Sequence, residues 1–171
     1  YRDVHVVTTA VKSDPTAIQM VPAAFQIENP EVVVAAIESV NKDLDLGDIL
    51  ESVDESLWQS PRVIQKFLER KGYHVDIAND PLAAIEIFKE NPSKYDVVIS
   101  DQMMPDMRGD QLGEQIMAIR EDVPFVICSG YCDALNLNSA REKGVHDFLQ
   151  KPIDFMMLDE YLRELIGRIK K

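Results

Sequence analysis

Val97-Val98-Ile99-Ser100-Asp101, followed by Gln102-Met103-Met104-Pro105-Asp106-Met107-Arg108-Gly109, is the stretch that decides the fold. A continuous apolar run of strand length, closed by turn-like residues, predicts a central parallel strand with the Asp101 carboxylate at the carboxyl edge of its sheet. Open α/β sheets place their chemistry at that edge. Taken alone, Asp101 reads equally well as the cap of the following helix. Two later segments shift the balance. Pro124-Phe125-Val126-Ile127-Cys128-Ser129-Gly130 is a second short apolar strand, ending in a hydroxyl, and Asp147-Phe148-Leu149-Gln150-Lys151-Pro152 is a third, ending in a lysine. If these strands run parallel, Asp101, Ser129 and Lys151 converge on one edge.

The surrounding chain alternates strand and helix in the manner of a doubly wound sheet. Ser60-Pro61 starts a helix whose apolar face is Val63, Ile64, Phe67 and Leu68, and Gly72 ends it. Tyr73 to Ala78 reads as the next strand. Asp80-Pro81 opens a helix through Phe88, stopped by Asn91-Pro92. Further helices are expected from about Gln111 to Ile119, from Asn138 to Lys143 before Gly144, and, amphipathic, from Phe155 to Ile169. The start at Tyr1 suggests a piece of something longer. No room is expected for a further domain after the last helix.

From about Arg62 onward these segments, in this order and spacing, resemble the receiver domain of bacterial two-component response regulators. The resemblance rests on Tyr95 to Gly109, on Val126-Ile127-Cys128-Ser129-Gly130-Tyr131 and on Phe148-Leu149-Gln150-Lys151-Pro152. It implies a flavodoxin-like receiver fold over residues 47–171, with a five-stranded parallel sheet. It also implies a cytoplasmic signalling module, not an enzyme. Asp101 would be the phosphoacceptor, served by a histidine kinase or a histidine phosphotransfer domain, because a positioned carboxylate is a competent nucleophile when cations neutralise the transferring group. Lys151 would pair with the phosphoryl oxygens. Ser129 would donate its hydroxyl to them, and Phe148 would be the aromatic switch that moves inward with it. Magnesium, which prefers oxygen ligands, would take the Asp101 carboxylate, the Met103 carbonyl and an acidic pair from the first strand. Met103 and Tyr131 flank the path of the hydrolytic water in this family, so slow loss of phosphate is expected. Each residue also has a plain structural alternative: an exposed strand-end lysine, a Ser-Gly turn, a core phenylalanine.

The acidic pair is the difficulty. Its best candidate is Asp54-Glu55 after Ile49-Leu50-Glu51-Ser52-Val53, but Glu51 and Ser52 suit poorly a strand buried on both faces. A helical alternative competes evenly: Ile49, Leu50, Val53, Leu57 and Trp58 recur at helical spacing, which would leave Asp54 and Glu55 as surface charges. Without the pair the chain would be a degenerate receiver, an interaction module that works without phosphorylation.

Residues 1–46 form an appendage, expected to be mostly helical and to bind a partner or dimerise the chain. Asn29-Pro30-Glu31 starts a helix over Val32 to Val40, and Asp3 to Val11 with Asp14-Pro15 to Phe25 form a comparable pair. Alternatively the β-branched run Val4 to Thr9 is a strand, even the missing central one.

With 171 residues and 46% hydrophobic composition, the chain can build one core of about 120 residues plus that appendage. A net charge of -12 argues against binding nucleic acid or an anionic membrane. Cys128 and Cys132 suggest reduced thiols, and His5, His74 and His146 share no ligand spacing. No apolar run approaches membrane length. A phosphohydrolase with an aspartate nucleophile would want a second carboxylate where Met103 stands. A flavodoxin-like nucleotide binder would need a glycine-rich phosphate loop, and none is present.

Overall fold

The structure, a computed structural model, describes residues 4–40, 46–130 and 144–169, without the side chains of His5, Val6, Glu55 and Ile169. It divides into two compact units, Tyr1–Val75 with Pro152–Tyr161, and Asp76–Lys151 with Leu162–Lys171.

The first unit is helical. It contains α1 (Val4–Ser13), a 3-10 turn over Pro15–Met20, α2 (Ala23–Glu28), α3 (Pro30–Ser39), α4 (Leu46–Leu50), a 3-10 turn over Glu55–Gln59, α5 (Pro61–Arg70) and the start of α8 (Phe155–Ile169). Helix starts follow local chemistry: Pro15, Pro30 and Pro61 occupy first turns, where their missing N–H is not needed. α3 is apolar on nearly every side, so it is buried from Val32 to Ile37 and packs on α1 and α5. Phe155 stacks on Phe67 at 5.0 Å between ring centres and meets Trp58 at 5.6 Å. Tyr73 donates its hydroxyl to Asp159 Oδ1 at 3.0 Å, with Lys71 Nζ 3.6 Å from Asp159 Oδ2.

Gln26, only 2% exposed, is fully engaged. Its Nε2 donates to the carbonyls of Val21 at 2.9 Å and Ser52 at 3.0 Å, and its Oε1 accepts from the Asp54 N–H at 3.4 Å. A buried amide is tolerated only when so satisfied. The effect is to fasten residues 52–54 to the helices that precede them.

The second unit holds α6 (Pro81–Glu90), a 3-10 turn over Pro92–Lys94, β1 (Val98–Asp101), α7 (Gly109–Ile119), β2 (Phe125–Ser129) and β3 (Asp147–Gln150). The strands form one parallel sheet in the order β1-β2-β3, with Asp101 opposite Cys128 and Ser129 opposite Gln150. Its core is Ile85, Phe88, Leu112, Ile116, Val123, Phe125, Ile127 and Val145, with Phe148 packed against it. Two glycines bring α7 close to the strands. A Cβ on Gly109 would stand 2.4 Å from the Asp101 carbonyl oxygen, and one on Gly113 would stand 3.0 Å from the Phe125 ring.

Several strand expectations need correction. The sheet has three strands among the described residues, where five were expected. Residues 46–50 are helical, not strand, and Ile49, Leu50, Val53 and Leu57 are all buried while Glu51 is exposed. The helix-and-turn form therefore prevailed, because it buries Ile49, Leu50, Val53 and Leu57 without burying Glu51. Residues 73–78 also form no strand. They keep the alternating exposure of one, but a strand exists only when a neighbour takes its hydrogen bonds. Val4 to Thr9 likewise lies in α1. As a result β1 is an edge strand among the described residues, and Ile99 is 36% exposed on it. The helix expected over residues 138–143 lies outside the described residues, as do Tyr131 and Cys132.

Candidate functional site

Parallel pairing carries three side chains to one rim of the second unit. Asp101 closes β1, Ser129 closes the middle strand β2, and Lys151 follows directly on β3. The rim is held by backbone bonds: Gln102 N–H donates to the Cys128 carbonyl at 2.9 Å, and Lys151 N–H to the Ser129 carbonyl at 2.9 Å. Lys151 Nζ reaches Asp101 Oδ1 at 2.8 Å. The Lys151 side chain is 20% exposed and that of Asp101 is 49% exposed, so the pair is held from one side and open to an incoming group on the other.

The loop after Asp101 is shaped by its neighbours. Gly109 N–H donates to the Gln102 carbonyl at 3.0 Å, Arg108 N–H donates to Gln111 Oε1 at 3.0 Å, and Asp106 takes a positive φ of 66°. Aspartate tolerates that conformation better than most residues. Met103 lies 80% exposed beside the rim, and Ser100 donates its hydroxyl to the Asp101 carbonyl at 3.0 Å. Phe148, one strand away, pairs in register with Ile127 and is half-buried.

Asp54 belongs to the first unit. Its Oδ1 accepts from the Ser56 N–H at 2.9 Å and the Ser56 hydroxyl at 2.6 Å, capping the 3-10 turn. These bonds hold its carboxyl below the usual range. The Glu55 side chain lies outside the described residues. Magnesium asks for oxygen ligands in near-octahedral array, usually with carboxylates among them. Among the described residues no group of three or more His, Cys, Asp or Glu is gathered for a metal. Of the expected ligand set of Asp101, Met103, Asp54 and Glu55, the first two lie at the rim of the second unit and Asp54 caps a turn of the first, and Asp101 Oδ1 is met by the Lys151 ammonium. Sequence reasoning did not anticipate the role of Gln26, whose only signal was a polar residue inside an apolar helical stretch.

Cys128 lies beneath the rim. Burial pushes its thiol up from the ordinary 9.0 to about 12, the Asp101 charge adds to this, and Lys151 partly offsets it. A group with a raised folded pKa stabilises the fold fully below its unfolded pKa and loses that contribution as pH rises toward the folded one. The denaturant midpoint is accordingly expected to fall between pH 9 and about 12 more steeply in the wild type than in Cys128→Ala. Parallel pH profiles for the two proteins would contradict this.

A parallel α/β sheet with a carboxylate, a hydroxyl and an ammonium on its carboxyl rim defines the receiver class of signalling domain. The profile of the response regulator receiver domain matches residues 53–163, more than half of the chain, and the chain belongs to that family. Among related proteins, the two-component response regulator ARR10 of Arabidopsis thaliana is 33% identical over 109 residues, covering 64% of this chain and 20% of that protein. The sensor kinase CckA of Brucella abortus is 29% identical over 101 residues, covering 59% of this chain and 11% of the kinase. A solved receiver domain protein from Clostridium thermocellum superposes with a TM-score of 0.60 at 29% identity, covering 68% of this chain and 90% of the other. This chain spans a fifth or less of the length of those two related proteins. Plant and bacterial proteins both appear among the relatives, so the expectation of a bacterial family is too narrow. No helix among the described residues is long and apolar enough to cross a membrane.

Proposed function

We propose that the chain receives a phosphoryl group on Asp101 from a phosphohistidine and changes a partner-binding face in response. An Asp101 carboxylate oxygen attacks phosphorus, the P–N bond breaks, and the imidazole leaves as the neutral ring after taking a proton on the released nitrogen. Lys151 neutralises charge on the phosphoryl oxygens, and the Ser129 hydroxyl donates to them once transfer is complete. Movement of Ser129 draws Phe148 inward, which alters the surface of β3 and α8. The partner is a histidine kinase or a histidine phosphotransfer domain. The receiver is assigned to residues 47–171, and residues 1–46 to partner binding or dimerisation.

The single observation that carries this reading is the 2.8 Å contact of Lys151 with Asp101 on a rim shared with the end of β2. The test is incubation with a phosphohistidine-bearing phosphotransfer domain, followed by intact mass and mapping of the hydroxylamine-sensitive adduct. One phosphoryl group on Asp101 is expected. An adduct elsewhere, or none, would refute the proposal and leave a binding-only receiver.

A further inference from the structure

We infer that the outward face of α2 docks an amphipathic helix whose apolar stripe is bordered by lysine or arginine. The inference narrows the reading of residues 1–46 as a binding segment and rests on that reading, while the chemistry at Asp101 plays no part in it.

α2 is built inside out. A helix on a folded unit ordinarily turns its apolar residues inward and its polar ones to water. Here the residue turned inward is Gln26, whose amide binds the Val21 and Ser52 carbonyls and the Asp54 N–H. Those bonds fix the rotation of the helix, because turning it would leave the buried amide and its partners without hydrogen bonds. Ala23, Ala24 and Ile27 consequently face water, Ile27 at 46% exposure. Ala23 and Ile27 stand four apart and share one helical stripe. Met20 and Pro22, just before the helix, are exposed as well, Met20 at 73%. Clustered apolar residues held outward against the local rule mark a surface made for a partner.

Shape and charge select the occupant. Ala23 and Ala24 carry so little side chain that the axis of a second helix can come close, with Ile27 as the contact beside it. The surroundings are acidic. Between Lys12 and Lys42 the chain carries Asp14, Glu28, Glu31 and Glu38 and neither lysine nor arginine. Asp14 caps the 3-10 turn after α1 and Glu38 pairs with Lys66, whereas Glu28 and Glu31 are exposed and make no ion pair among the described residues. A second copy of the chain would bring those acids and a net charge of -12 against their own kind. A cationic helix complements both the apolar stripe and its border.

The probe is a fluorescent peptide of about 15 residues, leucine on one helical face and lysine on the other, long enough to form a helix when bound. Its anisotropy is followed with the full chain, beside a peptide of the same pattern with glutamate in place of lysine. The lysine peptide is expected to saturate and the glutamate peptide to stay free. Ile27→Gln is expected to weaken the lysine peptide by about tenfold or more, the share of one isoleucine buried at a contact. Leu82→Gln, which alters an exposed leucine of the second unit, is expected to leave binding unchanged. Circular dichroism shows that each variant is folded. An equal loss in Leu82→Gln, binding of the glutamate peptide, or no saturation by the lysine peptide would overturn the inference. Lysine-peptide binding that ignores Ile27→Gln overturns it too, while leaving the wider reading of residues 1–46 in place. Sedimentation of the peptide-free chain supplies the last arm: a dimer dissociated by Ile27→Gln would make the occupant a second copy, which overturns the inference and keeps dimerisation.

Discussion

Lys151→Ala is expected to slow phosphoryl uptake at Asp101 by about 100-fold or more, the usual loss when one preorganised charge donor is removed from a transferring group. The same substitution is expected to change unfolding free energy by less than about 1 kcal/mol, because the Asp101 side chain is half-exposed and ion pairs in contact with solvent contribute little. The two quantities separate because water can replace the lysine in the resting protein but cannot be held in place as charge develops on the phosphoryl oxygens. Lys151→Arg should recover part of the rate, since the charge returns with a different shape. The measurement is the rate of mass gain with a phosphohistidine donor, set beside urea denaturation of the same samples. Uptake at the wild-type rate in Lys151→Ala would show that the ammonium is a bystander at this rim.

Phe125→Ala is expected to cost about 3–5 kcal/mol, the range for deleting a fully buried aromatic ring. Phe125 is 0% exposed, begins the middle strand of the sheet, and packs with Ile85, Phe88, Leu112 and Ile116. Its ring lies against α7 at Gly113, where an added Cβ would stand 3.0 Å from the nearest ring carbon. That closeness gives the prediction a second part. Gly113→Ala should destabilise the wild type, where the methyl crowds the ring, yet stabilise Phe125→Ala by about 1 kcal/mol through helix propensity once the ring is gone. Denaturation of the four proteins completes the cycle. Equal effects of Gly113→Ala in both backgrounds would mean that the ring does not press on α7.

Much of the second unit is legible in the sequence. Val97 to Ser100 and Pro124 to Ser129 are short apolar runs with turn residues after them, a pattern that depends only on burial of both strand faces, and β1 and β2 fall there. α6 begins at Pro81 because the Asp80 side chain accepts from the Ala83 N–H and the proline ring suits the first turn, and in the first unit α5 begins at Pro61 through the proline alone, Ser60 making no side-chain cap bond. Asp101, Ser129 and Lys151 could be nominated as partners because parallel strands deliver their last residues to a common side.

The first strand could not be read in the same way. Ile49 to Glu55 carries a family-like acidic pair and a helical apolar face at once, and local sequence weighs the two about equally. The helix-and-turn form is supported by a residue far off in the chain, Gln26, whose amide satisfies the backbone of residues 52 and 54. Tyr73 to Ala78 shows the complementary case, a strand-like alternation that forms no strand for want of a neighbour. By itself, then, the sequence determined the family, the positions of the sheet's three strands and the residues that share its rim, since these follow from local periodicity and strand direction. Only the tertiary structure decided that Asp54 caps a turn in the first unit and that Lys151 is the charge Asp101 meets, because long-range hydrogen bonds and burial choose between local forms of nearly equal free energy.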